Sequence, residues 1–261
     1  MYFEFAKKRF AQNFVYRANA FFRLLRSFIY LFVTVSIWTA LYRNTAIVDG
    51  IGIKEMLTYV LMAQLVRSFV EFPMSKFIAG KVANGTISID FIRPVVLPLC
   101  AFADCAGGVL AQLLLSTVPM VIAGALLWGF VLPSAAWQWM LFVPSLLMAV
   151  IMYSMMEYVM GLTAFWFKTD WYMEWIIGSF MTLFSGAYIP LWFYPAPIRF
   201  AANLFPFRYF IFEPINIFLG KASFEEALSV LLMQLVWIGV FYITGRVTWH
   251  YAQRTITVHG G

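Results

Sequence analysis

Ionisable side chains that could take part in chemistry are scarce, since 11% of the 261 residues are charged and 63% are hydrophobic. Gln64, Arg67 and Glu71 have helical spacing within an apolar stretch, so they share one helix face and the last two can form an ion pair. An ionisable side chain in such a stretch predicts a contact with a transported solute. The alternative is a structural pair near a membrane surface, and Glu157 in a later apolar stretch has the same two interpretations.

Two Gly-Lys pairs invite comparison with the phosphate-binding loop of nucleotide hydrolases, which requires Gly-x-x-x-x-Gly-Lys followed by Ser or Thr. Lys81 and Lys221 each follow a glycine, but the next residues are Val82 and Ala222. Neither pair has the hydroxyl that would hold magnesium. We therefore expect no bound nucleotide, metal or other cofactor in this chain.

The other reactive side chains form no recognisable catalytic set. His250 and His259 lie near the C-terminus, and no HExxH or GxSxG pattern occurs. Cys100 and Cys105 have no neighbouring histidine and suit apolar packing better than a metal site. The sequence predicts a protein that is not an enzyme.

The apolar residues come in long blocks. A helix needs about 20 apolar residues to cross a membrane, so each block can be compared with this length. Six blocks qualify, at 24–42, 55–72, 106–132, 137–165, 175–192 and 227–247. No signal-peptide cleavage pattern follows the first block, so we expect it to be retained. We predict an all-α, polytopic protein with six transmembrane helices in a single domain, 1–261.

The basic residues predict how these helices are oriented. Twelve of the eighteen Lys and Arg lie in segments on the same side as the N-terminus, five lie in the opposite loops, and Arg67 lies within a span. Basic loops are retained in the cytoplasm, so both termini are predicted to be cytoplasmic. Because the net charge of +6 is not gathered on one soluble face, we expect no nucleic-acid binding.

Two segments on the predicted cytoplasmic side are more than linkers. Residues 1–22 mix aromatic and basic side chains, which favours an amphipathic helix in the membrane interface. Residues 73–98 are too polar to span and are interrupted by proline and Asn-Gly. We predict a short helix over 74–82 that presents Lys76 and Lys81 to the cytoplasm.

The predicted outer segment, 190–221, is apolar but contains five prolines, which forbid one continuous helix. Irregular backbone at membrane depth persists only where protein or a water-filled cavity covers it. We predict two short reentrant helices between the fifth and sixth spans. The alternative is an aromatic loop in the outer interface.

This order of segments resembles the permease subunits of type-2 ABC exporters whose ATPase is a separate chain. GKVANGTISIDFIRPV, from Gly80 to Val96, is similar to the family's cytoplasmic segment, in which a Gly-Thr turn leads to a hydrophobic-Arg-Pro element. Residues 185–221 are similar to its outer segment, with Ser-Gly, Ile-Pro-Leu, a Pro-Phe pair and a proline before a closing glycine. The architectural resemblance covers the whole chain.

The resemblance implies an exporter in the bacterial cytoplasmic (inner) membrane, for a drug, lipid or peptide, as in multidrug efflux. Two permeases, identical or homologous, would form the path, and two ATPase subunits would bind ATP and Mg. The 73–98 loop would couple to the ATPase through Lys76, Lys81, Asn84, Gly85, Asp90, Arg93 and Pro94. An outer gate would comprise Ser185, Gly186, Pro190, Pro206, Phe207, Pro214 and Gly220.

A secondary carrier or channel that works without ATP is the alternative function. Such a protein needs ion-binding groups near the middle of the membrane. The sequence places few polar groups there, which favours the ATP-driven permease.

Overall fold

The computed structural model describes residues 2–15, 17–44, 47–48, 50–87, 96–167 and 171–254. Of these residues 84% are helical and almost none lie in strands, which confirms the predicted all-α class. A two-residue antiparallel pair, β1 (Ile47–Val48) and β2 (Ile51–Gly52), precedes α3. The helices are α1 (Tyr2–Val15), α2 (Arg17–Leu41), α3 (Ile53–Val70), α4 (Met74–Ala83), α5 (Leu97–Trp128), α6 (Ala136–Phe167), α7 (Trp171–Phe184), α8 (Ala196–Leu204), α9 (Phe212–Phe218) and α10 (Phe224–Arg254).

Within the described ranges, four helices are long and apolar enough to cross a membrane: α2 from Ala18 onwards, α5, α6 and α10. They coincide with four of the six predicted spans. The helices at the other two predicted positions are less suited to crossing a membrane. Helix α3 has 18 residues but includes the charged residues Lys54, Glu55 and Arg67, and α7 has only 14 residues. The part of the chain that the structure describes therefore supports four of the predicted spans, and the full count of six stays a prediction.

Two helix boundaries differ from prediction for local reasons. Helix α5 begins at Leu97 rather than at residue 106, because Pro98 in its first turn is compatible with a helix start. It ends before Gly129, which has φ +82°, and residues 113–117 within it form a π-helical turn. Helix α7 ends at Phe184 rather than at residue 192, because the chain turns at Gly186, where φ is +78°.

The predicted interfacial segment, 1–22, is divided between two helices. Helix α1 ends at Val15, and Arg17 begins α2. Helix α1 packs against the first half of α5, where a methyl group on Gly107 would overlap the carbonyl of Ala6. Arg9 of α1 also lies 3.7 Å from the Asp104 carboxylate.

The core is centred on α3, whose residues from Met56 to Ala63 are all buried. Helices α6 and α10 pack along each other beside it, and α9 packs against both α3 and α6. Helix α4 packs against α6 at the opposite end of the bundle. We call these the hairpin end, where α9 lies, and the α4 end.

Candidate functional site: a cleft between three helices

A cleft of about 630 Å³ lies between α3, α6 and α7. This volume is in the range of small-molecule sites, roughly 300–1,000 Å³. The turn after α7 contributes Ser185, Ala187 and Tyr188 to its wall. The charged and aromatic side chains that line the cleft are Arg67 and Glu71 from α3, Tyr153 and Glu157 from α6, and Glu174 and Trp175 from α7.

Arg67 is held on two sides within the cleft. Its Nε donates to Glu71 Oε1 at 2.6 Å, and its Nη1 donates to the Tyr188 hydroxyl at 2.8 Å. The guanidinium also lies 5.2 Å from the centre of the Tyr188 ring. The ion pair expected from the sequence spacing is therefore formed, and it lies in the cleft wall.

Gln64, the third residue of the predicted polar face, has a different environment. It is half-buried and lies close to Tyr30 of α2. The Tyr30 ring packs edge-on against Tyr188, with centroids 6.2 Å apart. Gln64 is not one of the described residues that line the cleft.

Glu157 anchors α4, a role that its position in the sequence did not reveal. It is 7% exposed, and its Oε2 accepts hydrogen bonds from the Ser75 hydroxyl at 2.6 Å and the Ser75 amide at 3.1 Å. Ser75 lies in the first turn of α4, where amides lack intrahelical partners and a carboxylate is favoured. The one sequence signal was that Pro73, which precedes α4, offers no capping side chain.

Helix α4 has one buried and one exposed face. Met74, Ser75, Ile78 and Ala79 are buried. A methyl group on Gly161 of α6 would lie 3.0 Å from Ile78 and Ser75 atoms, so α4 is closely packed on α6. The exposed positions include Lys76, Gly80, Ala83, Asn84, Gly85 and Thr86.

The two predicted lysines of α4 both have intramolecular contacts. Lys76 Nζ lies 2.8 Å from Glu174 Oε1 in the first turn of α7, with side chains 60% and 40% exposed. Lys81 Nζ lies 4.6 Å from the centre of the Phe77 ring. Lys76 therefore connects α4 to a cleft helix. Of the other residues predicted for this loop, Asp90, Arg93 and Pro94 lie outside the described residues.

The turn after α7 is the junction of three helices. The Tyr59 hydroxyl of α3 donates to the Gly186 carbonyl at 2.7 Å. The amide of Phe212, which begins α9, donates to the Ser185 carbonyl at 3.0 Å. A side chain at Gly186 would place its Cβ 2.7 Å from the Tyr59 hydroxyl, so glycine is required both for space and for its positive φ.

The segment 190–221 contains two short helices, α8 and α9, as predicted, and two 3₁₀ turns, Leu191–Phe193 and Pro206–Tyr209. Its prolines lie next to or within the first turns of these elements, where a missing amide is tolerated. That the helices enter the outer leaflet stays a prediction. Of the predicted gate residues, Gly220 is exposed, whereas those buried are Ser185, Gly186, Pro190, Pro206, Phe207 and Pro214.

A buried ion pair stabilises this segment from within. Arg208 Nε donates to Glu213 Oε1 at 2.7 Å, and Arg208 Nη2 contacts the same oxygen. Burial raises the pKa of the Glu213 carboxyl, and the neighbouring guanidinium partly offsets this rise. Sequence spacing could not indicate this pair, since the two residues lie on either side of a helix break.

Further contacts attach the segment to the bundle. Gln234 of α10 is fully buried, and its Nε2 donates to the carbonyls of Tyr209 at 2.9 Å and Ser145 at 3.0 Å. The Phe207 ring stacks on Phe180 of α7, with centroids 5.5 Å apart. Because α7 and the 190–221 segment are in direct contact, a movement of α7 would also move this segment.

A family model described as an ABC-2 family transporter protein matches residues 28–260, which include the cleft, α4 and the 190–221 segment. Searches of curated proteins and of solved structures find no match to the chain.

Proposed function

The chain belongs to the ABC-2 transporter family, and we propose that it is the membrane permease of an ATP-driven exporter. It is a multi-pass membrane protein, and among its described residues four helices are long and apolar enough to cross a bilayer. The observation that carries the proposal is α4, a short helix with an exposed face that is attached to two of the three helices around the cleft.

ATP and Mg would be bound by a partner ATPase, which docks on the exposed face of α4. Lys76, Lys81, Asn84 and Gly85 are the candidate contacts, as the family resemblance implies. A push on α4 would reach α6 through Glu157, and it would reach α7 through Lys76 and Glu174. Packed helices transmit such movements because their interfaces have discrete arrangements rather than continuous deformability.

The same movement would reach the outer gate through α7. The turn that ends this helix is hydrogen bonded to α3 and α9, through Tyr59 and Phe212. Closure of the cleft at the α4 end can thereby be accompanied by opening at the hairpin end. In this scheme the buried residues of 190–221 couple the cleft to the outer gate, and Ser185 and Gly186 form the hinge between them.

Several features of the assembly follow from the family and the charge distribution. The α4 end would face the cytoplasm, with both termini on that side, in a bacterial inner membrane. A second permease, identical or homologous, and two ATPase subunits would complete the exporter. Its substrate would be hydrophobic or amphipathic, such as a drug, lipid or peptide, and this chain itself would be non-catalytic.

A docking block on α4 tests the proposal directly. Gly80 lies on the exposed face, and nothing lies within 4 Å of a Cβ placed there, so Gly80→Trp fits the isolated fold. Gly239→Trp on α10 is a matched control, since its Cβ position is equally open. With the cognate ATPase co-reconstituted, we expect Gly80→Trp alone to abolish the permease's stimulation of ATP hydrolysis. Equal stimulation by both variants would refute docking at α4.

A further inference from the structure

We infer that the cleft between α3, α6 and α7 binds an amphipathic cation, with its charge held by the Glu71 and Glu174 carboxylates. This rests on the proposed function and narrows its substrate class. The inference starts from the cleft's charge. The described lining residues include three carboxylates, Glu71, Glu157 and Glu174, but a single guanidinium, that of Arg67. When Lys76 is included as the partner of Glu174, the described charges leave one carboxylate, that of Glu157, in excess, so the cleft as a whole is negative.

The basic groups are already engaged. Arg67 donates from Nε to Glu71 and from Nη1 to Tyr188, and Lys76 contacts Glu174 from the adjoining α4. An anionic ligand would have to compete with these partners for the basic groups. The ion pairs of Glu71 and Glu174 each use Oε1, and among the described residues no ion pair uses the second oxygen of either carboxylate.

The serine and threonine hydroxyls of the cleft donate within their own helix. Ser179 and Thr182 of α7 donate to carbonyls four residues earlier in their own helix, at 2.8 Å and 2.7 Å. Ser185 donates to the Met181 carbonyl in the same manner. Since these donors are satisfied locally, the carboxylates and the aromatic and aliphatic side chains carry most of the recognition.

Aromatic and aliphatic side chains would contact the apolar body of the ligand. Trp175, Tyr153 and Tyr188 line the cleft, and Trp175 is 75% exposed. Aromatic faces attract cations and also bury apolar surface. Ile177 and Met181 extend the apolar wall along α7. A cation with an apolar body satisfies both parts of this lining.

A second cavity in the molecule lacks these features. It measures about 720 Å³ and lies where α4, α5, α6 and α10 approach one another. Among its described lining residues the only charged side chain is Arg246, and nearly all others are apolar. A cation would meet repulsion there rather than a partner. The acidic cleft is therefore the site that the charge distribution assigns to a cation.

The test compares two probes of matched size and opposite charge, tetraphenylphosphonium and tetraphenylborate, with the full chain in lipid nanodiscs. After subtraction of partitioning into empty nanodiscs, we expect the phosphonium to bind in the cleft and the borate to bind at least about tenfold more weakly, because the excess negative charge attracts one probe and repels the other. Glu71→Gln and Glu174→Gln each remove one negative charge and should each weaken phosphonium binding roughly tenfold. Glu225→Gln, on the exposed first turn of α10, should leave it unchanged.

Lys76→Gln separates recognition from a structural effect, because it removes a cation that competes for Glu174. It should tighten phosphonium binding, whereas damage to the fold would weaken it. Equal binding of both probes, or phosphonium binding indifferent to Glu71 and Glu174, would overturn the inference. The measurement needs neither ATP nor the ATPase, so failure here leaves α4 docking standing, and failure of docking leaves cation binding standing.

Discussion

Glu157 and Ser75, 82 residues apart in the sequence, are joined by two hydrogen bonds at the first turn of α4. The carboxylate satisfies an amide that has no partner within its own helix. It also fixes the position of α4 relative to α6, which lines the cleft. One buried side chain thus connects the proposed docking helix to the proposed substrate site.

Replacing Glu157 with alanine should uncouple α4 from α6. The buried Ser75 amide and hydroxyl would lose their acceptor, at a cost of about 1–3 kcal/mol. We expect a lower thermal unfolding midpoint in detergent and a loss of ATPase stimulation. Glu157→Gln retains an acceptor oxygen and should have a smaller effect on both measurements. If both variants match the wild type in unfolding midpoint and in ATPase stimulation, this contact does not hold α4 in place.

Exchange of charges should show that Lys76 and Glu174 couple α4 to α7. Lys76→Glu places like charges together and should reduce ATPase stimulation, and Glu174→Lys in the same chain should restore it. Because both side chains are substantially exposed, the pair contributes at most about 1 kcal/mol to the free energy of unfolding. Unfolding midpoints of the single and double variants should therefore agree closely. A double variant no better than Lys76→Glu would argue that Lys76 acts by contacting the ATPase instead.

Gly186→Ala should destabilise the junction between α7, α3 and α9. Its φ of +78° and the 2.7 Å approach of a Cβ to the Tyr59 hydroxyl both oppose a side chain. A cost of about 1–3 kcal/mol is expected for strain of this kind. Gly178→Ala, on α7 with open space around it, serves as the control and should not lower the unfolding midpoint. Similar midpoints for the two variants would contradict the junction's geometry.

Arg208→Met should destabilise the 190–221 segment in a pH-dependent manner. It leaves the Glu213 carboxylate buried without a partner, which costs about 3–5 kcal/mol while the group is ionised. The pKa of Glu213 is already raised by burial, and removing the guanidinium raises it further. The deficit in stability should therefore be largest above this pKa and should shrink as the pH falls and the carboxyl is protonated.

Unfolding midpoints measured between pH 8 and pH 5 test this dependence, with Arg208→Met/Glu213→Gln as the comparison. The double variant has no carboxylate at this position, so its deficit should be smaller and insensitive to pH. A constant deficit for the single variant across the range would show that lost packing, not the unpaired charge, causes the destabilisation.

Much of the helix pattern could be predicted from the sequence. The predicted helix 74–82 closely matches α4, because Pro73 and the Asn84-Gly85 turn limit it on both sides. The four spanning helices follow from hydropathy and length. The short α7 could not be predicted, since residues 185–192 remain apolar after the turn. Hydropathy does not distinguish an apolar segment that crosses the membrane from one that folds back into the protein core.

The cleft was only partly predictable. The Arg67–Glu71 pair follows from helical spacing, and its position in the cleft wall depends on how α3 packs. Glu157 and Glu174 are brought to the same cleft by α6 and α7, and their partners Ser75 and Lys76 come from α4. Such contacts join residues that are far apart in the sequence. Spacing within one helix carries no information about them.

ATP-driven transport by the complete assembly tests the central claim most directly. The permease would be co-reconstituted with its cognate ATPase in proteoliposomes, and tetraphenylphosphonium movement would be followed with ATP, with ATP and Gly80→Trp, or with an ion gradient alone. We predict transport only with ATP and an unblocked α4. Transport driven by the ion gradient without the ATPase, in excess of the passive movement seen in protein-free liposomes, would contradict the claim and would establish a secondary carrier instead.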